Sequence, residues 1–204
     1  MARIDNKEGI ILPNYIGGNW YMGDMPGQQF TSTNTTPLVD DVIYAVPNVI
    51  NRPVTISEIG FRTSGTNASV GANLKIGVYA ADGADGAPGT LLAIGTAPVS
   101  VGDSALSTVY TVALDKPVFI AGPLFWIAVL QDSTTGVRTA IPTLSYVRSG
   151  FFGNATASGV YAGSSIPWGY TGVGTYAGGM PSAFGTPTLQ TNSGLTPVCV
   201  YKVV

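Results

Sequence analysis

The chain contains no histidine and only one cysteine among its 204 residues. Without histidine there can be no histidine-based catalytic triad, no cysteine–histidine dyad and no histidine-ligated metal. A lone Cys199 cannot close an intrachain disulfide or assemble a thiolate zinc or iron–sulfur site within one chain. In the apolar run "TPVCVYKVV" it reads as a small packed hydrophobe. Charge is scarce as well: Asp, Glu, Lys and Arg make up 10% of the residues, where soluble domains carry about 25%. A monomer keeps its surface charged to stay soluble, so this deficit predicts surface that is covered in an assembly. The nine basic residues are scattered singly along a chain of net charge −2, which leaves no clustered footprint for nucleic acid. No run approaches the roughly 18 apolar residues of a membrane span, so no membrane insertion is expected. The early run "GIIL" stops at Pro13, too short for a secretory leader. Together with the single cysteine this fits synthesis in a reducing cytoplasm.

Helical periodicity is also missing, and 27 glycines and 14 prolines interrupt the chain too often for helices. What remains is strand signal. The runs 42–50, 54–63, 72–81, 107–114 and 124–131 are rich in Val, Ile, Thr and aromatics, and most are bounded by Gly, Pro, Asn or Asp. In "TISEIGFRT" alternation places Ile56, Glu58, Gly60 and Arg62 on one side and Ser57, Ile59 and Phe61 on the other. In "NLKIGVYA" Leu74, Ile76, Val78 and Ala80 share a side while Lys75 points away. Period-two patterning with one wet face marks antiparallel sheet. Short strands at about ten-residue spacing predict an all-β fold, an antiparallel β-sandwich of jelly-roll type.

Three zones follow. Residues 1–40 form a weakly patterned N-terminal arm, residues 41–148 the strand-rich sandwich, and residues 149–201 a stretch without a single charged side chain. The closing run "TPVCVYKVV" is expected to return to the sandwich as a strand, so 41–204 is taken as one domain.

Few residues invite chemistry. Asp40 and Asp41 are adjacent, so on a strand they point to opposite faces and cannot share a site. Asp82 and Asp85 lie in "AADGADGAPGT", but calcium gathers more oxygen ligands than two acids supply, and Asp-Gly and Pro-Gly already explain a turn. No catalytic residue, metal or cofactor is expected. Trp126, inside "FWIAV", is expected in the core. The recognition candidates are aromatic. Trp168, Tyr170 and Tyr176, with Tyr161 upstream, sit among glycines in a composition that both sugar sites and protein interfaces use. Sugar recognition also draws on Asp, Asn, Gln or Arg, which "SSIPWGYTGVGTYAGGMPSAFG" lacks, so a protein interface is favoured. Trp20 and Tyr21, with Tyr15 nearby, are the arm's candidates, either for docking on a partner or for packing back onto the domain.

Several runs occur in a telling order: "IYAVP" (43–47), "TISEIGFRT" (55–63), "LKIGVYAADG" (74–83), "APGTLLA" (87–93) and "FWIAVLQ" (125–131). Together they resemble a jelly-roll module of bacteriophage virion proteins, especially tail-fibre and related appendage proteins. The likeness covers residues 42–131 and continues loosely to "AGGMPSAFG". It implies a non-enzymatic virion part, made in the host bacterial cytoplasm, commonly a homotrimer, and exposed on the particle. The partners it implies are other virion proteins and, at loop tips, a host surface glycan or receptor. In fibres the module ends a longer chain with a shaft. Here about forty residues precede it, which suits a small tail or baseplate appendage that docks through the arm. A decoration protein on the head and a carbohydrate-binding receptor-recognition module are the alternatives.

Overall fold

The computed structural model describes residues 3–4, 11–12, 15–22, 30–31, 37–64, 71–102, 107–133, 136–138, 141–142, 169–190 and 197–204. Its strands are β1 (Arg3–Ile4), β2 (Ile11–Leu12), β3 (Trp20–Tyr21), β4 (Phe30–Thr31), β5 (Val42–Val49), β6 (Val54–Arg62), β7 (Ala72–Ala80) and β8 (Leu91–Ile94). They continue with β9 (Val99–Val101), β10 (Val109–Ile120), β11 (Leu124–Gln131), β12 (Ile141–Pro142), β13 (Gly169–Val173), β14 (Thr188–Gln190) and β15 (Cys199–Val203). Among the described residues the sole helical turn is the 3₁₀ turn Ala84–Gly86. The predicted strand runs therefore fold as strands, because β-branched and aromatic side chains suit a pleated, half-buried surface.

Two antiparallel sheets pack as a sandwich. The smaller has the order β10-β6-β15-β3, and the larger the order β14-β13-β5-β11-β7-β8, with β9 also paired to β7. The long strands β5, β6, β7, β10 and β11 pass alternately from larger to smaller sheet. Each crossing lets both inner faces bury their apolar residues in one core. The larger sheet contributes Val46, Ile76, Val78, Ile127 and Val129 to that core, and the smaller contributes Ile56, Ile59, Phe61, Ile120 and Tyr201.

The alternation expected in β6 fails at one point. Ile56 is as fully buried as Ile59 and Phe61, although strict alternation sets it beside Glu58. In the pairing with β15, Lys202 faces Glu58 while Val203 faces Ile56. Ser57 is therefore one residue in excess, a β-bulge that turns Ile56 back into the core.

The segment read as an arm does not stay apart from the sandwich. β3 pairs with β15 through Tyr21↔Tyr201 and Trp20↔Lys202, and the Gly18 N–H donates to the Val203 carbonyl at 2.8 Å. Leu38, just before the expected boundary at 41, is completely buried in the core. Earlier in the chain, β1 and β2 form a separate antiparallel pair.

Candidate functional site

The larger sheet has a second apolar layer on its outer face. Ile43, Ala45, Tyr79, Trp126, Ala128, Leu130 and Phe184 are buried there, with Tyr170, Tyr176 and Met180 packed against them. This explains why β5 and β11 are buried residue after residue rather than alternately. The cover comes from the tyrosine- and glycine-rich stretch itself. β13 pairs with β5, and Gly169 makes that pairing possible, because a Cβ there would overlap the Ala45 carbonyl oxygen. Residues 174–187 then fold back across the sheet. The Tyr79 hydroxyl donates to the Pro181 carbonyl at 2.8 Å, and Phe184 meets the Tyr79 ring edge-on with centroids 5.3 Å apart. The Leu91 N–H donates to the Ser182 carbonyl and the Phe184 N–H to the Gly89 carbonyl, each at 2.9 Å. Gly179, at φ +82, supplies the left-handed turn, a conformation open to glycine at little steric cost.

Tyr170 and Tyr176, both expected at an interface, thus lie half-buried on their own sheet. Tyr170 meets Trp126 edge-on at 5.3 Å. Tyr176 is held by two charges: its N–H donates to Asp41 Oδ1 at 2.6 Å, and Lys75 Nζ donates to its carbonyl at 2.5 Å. The same ammonium sits 4.5 Å from the Tyr176 ring centroid, a cation–π contact that occupies the ring. In the sequence, alternation turns Lys75 away from the apolar side of its strand, and Asp41 is notable only as the neighbour of Asp40. Their pairing with a loop more than a hundred residues away has no local signal. Trp168 and Tyr161 lie outside the described residues.

Burial raises the phenol pKa of Tyr44, Tyr79, Tyr170 and Tyr176 above the ordinary tyrosine value. For Tyr170 the charge of Asp85 adds to the effect, and for Tyr176 that of Asp132. The folded state therefore holds these protons more tightly than the unfolded chain. Their contribution is fully present below the unfolded tyrosine pKa of about 10 and is lost as pH rises through the folded values. The expected result is a fall in urea midpoint that sets in near the unfolded tyrosine pKa of about 10 and continues as pH rises, beginning with near-UV signal from the tyrosine cover. A midpoint flat through that rise would count against this burial.

The outer face of the smaller sheet is different. Opposed residues form rows across it: Arg62–Val109, Val200–Gly60–Thr111, Trp20–Lys202–Glu58–Ala113 and Thr55–Phe119. Trp20 turns to this outer side, with Lys202 Nζ 5.9 Å from its ring centroid. Lys202 also pairs with Glu58 at 2.5 Å, an interaction worth about 0.2–1 kcal/mol at such a partly exposed position. Tyr15 and Tyr21 point the other way. Tyr21 stacks on buried Tyr201 at 6.1 Å, Tyr15 meets Tyr21 edge-on at 4.8 Å, and Tyr201 meets Phe125 edge-on at 5.3 Å. Of the three arm candidates, two complete the core and one faces outward.

The Asp82 loop forms a turn. Asp82 accepts the Thr90 N–H and the Thr90 hydroxyl, each at 2.7 Å, and those hydrogen bonds hold its carboxyl below the usual carboxylate range. Asp85 stands in the left-handed region at φ 55. Beside this loop is an open cleft of about 440 Å³ whose walls include Ala81, Asp82, Phe119, Pro123 and Leu124. Among the described residues no three acids or cysteines gather to hold a metal. The described surface offers exposed apolar side chains at Val109, Phe119, Val173 and Val204. Comparison with known proteins finds no matching family model, no matching curated protein and no matching solved structure.

Proposed function

We propose that this protein is a non-enzymatic structural component of a bacteriophage virion, a small surface appendage of tail, baseplate or fibre type built on a jelly roll. The observation that carries the reading is apolar exposure on a charge-poor chain. Ile16, Trp20, Val109, Phe119 and Val204 are all exposed, while charged residues make up only 10% of the sequence. Val173 and Leu189 on the larger sheet are exposed as well, and exposed apolar residues on a molecule with few charges are the mark of a subunit that works inside an assembly. The ordered runs "IYAVP", "TISEIGFRT", "LKIGVYAADG" and "FWIAVLQ", which resemble the phage module, fall on β5, β6, β7 and β11 and supply the virion context.

In this reading the first fourteen residues dock the sandwich on the particle, and the far loops face the host surface. The experiment is a deletion of residues 1–14, which removes the β1–β2 pair but spares Tyr15, Tyr21 and β3. A cut at residue 30 would instead strip a strand from the smaller sheet. The truncated chain is expected to fold with an unchanged melting temperature and to be missing from purified particles. Normal incorporation would refute docking through this segment. Antibody labelling of intact particles separates a tail or baseplate position from a head-decoration one.

A further inference from the structure

The two sheets treat their outer faces unequally. Residues 174–187 lie across the larger sheet, and the rings and aliphatic residues beneath them are buried. The outer face of the smaller sheet leaves more apolar surface open to solvent: Phe119 is 65% exposed, Val204 66% and Val109 57%, against 48% for Leu189 and 39% for Ile94, which pair with Tyr170 and Gly77 on the larger sheet. These are not stray residues at a frayed end. Phe119 lies between Val118 and Ile120, both buried on the inner side, so the pleat sends it outward. Val204 follows buried Val203, and its N–H donates to the Thr55 carbonyl at 2.9 Å, which places it beside the Thr55–Phe119 row.

The geometry points to a second copy of this chain as the cover of that face, the two copies meeting sheet to sheet about a two-fold axis. Two features fit a copy of this chain, and a third sets the strength of the contact. The first is charge. Glu58 and Lys202 neutralise each other within the face, so an identical face can approach without meeting an uncompensated charge at its centre, whereas an acidic or basic partner finds nothing there to complement. The second is the arrangement of apolar residues. Phe119 and Val204 lie at one end of the face and Val109 at the other, and a two-fold axis through the middle sets the first end of each copy on the second end of its partner. Such self-complementarity is what an isologous contact requires. Between the ends, the row of Gly60 and Thr111 is small enough for the roughly 10 Å approach of stacked sheets, and the row of Trp20, Lys202 and Glu58 beside it is bulkier.

The third feature is size. The strands of this sheet contribute 12, 9, 5 and 2 residues. At roughly 16 Å² of sheet per residue the flat footprint is on the order of 450 Å². That is about half of the roughly 800 Å² per partner of a standard interface, so a small contact and a weak dimer are expected. The pairing does not rest on the virion reading, and being two-fold it differs from the trimer that the phage resemblance implies.

The test uses the full chain at tens of micromolar, with mass measured by sedimentation equilibrium. The wild type is expected to be a dimer. Phe119→Asp and, at the opposite end, Val109→Asp are each expected to raise its dissociation constant on the order of thirtyfold or more, as a charge set in place of a buried apolar contact does. Circular dichroism and melting temperature identify any variant that fails to fold, and the two sites lie in different rows, so one can stand in for the other. Val173→Asp, at an exposed site on the larger sheet, is the control and should leave the dimer intact. A monomeric or trimeric wild type overturns the proposal. So does a dimer indifferent to both folded variants, or one that Val173→Asp dissociates equally well. Failure here leaves the particle-incorporation experiment with residues 1–14 unaffected, so the two ideas fall separately.

Discussion

Replacing Trp126 with alanine is expected to lower the unfolding free energy by about 3–5 kcal/mol, the range for deleting a large buried ring. Trp126 is almost completely buried, in the layer between β11 and the 174–187 cover. It meets Tyr170 edge-on, and its indole N–H donates to the Gly86 carbonyl at 3.0 Å. Truncation therefore removes one wall of the pocket that holds the cover and detaches the 84–86 turn from β11. Urea denaturation followed by far-UV circular dichroism measures the loss, and near-UV circular dichroism reports whether the tyrosine cover loosens first. Trp126→Phe keeps most of the apolar volume and removes the donor. Its expected cost is about 1–2 kcal/mol. A cost below about 1 kcal/mol for the alanine variant would mean that the outer layer is not a packed core.

The second large effect is expected at Gln131. This amide is fully buried at the end of β11. Its Nε2 donates to the carbonyls of Leu38 and Ser133, and its Oε1 accepts the Val137 N–H at 3.0 Å. One side chain thus ties the approach to β5 and the loop after β11 to the sandwich. Gln131→Leu preserves bulk but strands three backbone groups, each costing about 1–3 kcal/mol when buried without a partner. The expected total is about 3–5 kcal/mol, because some of these groups regain water as the loop shifts. Gln131→Glu keeps the acceptor for Val137 and sets a carboxylate against two carbonyls. It should be at least as damaging at neutral pH and should partly recover in acid, where a protonated carboxyl can donate. Equal stability of Gln131→Leu and the wild type would show that the amide carries no structural weight.

Both residues show how far local pattern reaches. "FWIAVLQ" reads as a strand with Trp126 inside, and both readings hold. That Trp126 serves a second core on the outer face is not in the pattern, because its covering segment lies about fifty residues further on. Gln131 at the end of an apolar run looks like a polar strand terminus, and only the return of residues 37–38 and 136–138 gives its amide two of its three partners, Leu38 and Val137. The same holds for the aromatics. Trp20 and Tyr21 are neighbours in sequence, yet strand alternation sends Tyr21 into the core against Tyr201 and Trp20 outward over Lys202.

Composition and local pattern are enough to specify an antiparallel β protein with five long strands in the expected places, a buried Cys199 and few charged side chains. Those properties follow from period-two burial, turn residues and composition, all of which act over a few residues. That Ser57 bulges so that Ile56 points inward, that residues 15–21 join the smaller sheet, and that Tyr170 and Tyr176 lie on their own sheet emerges only in the folded molecule. The physical reason is common to all three. Each depends on a partner strand distant in the chain, and register and cover are settled by long-range pairing that leaves no local imprint.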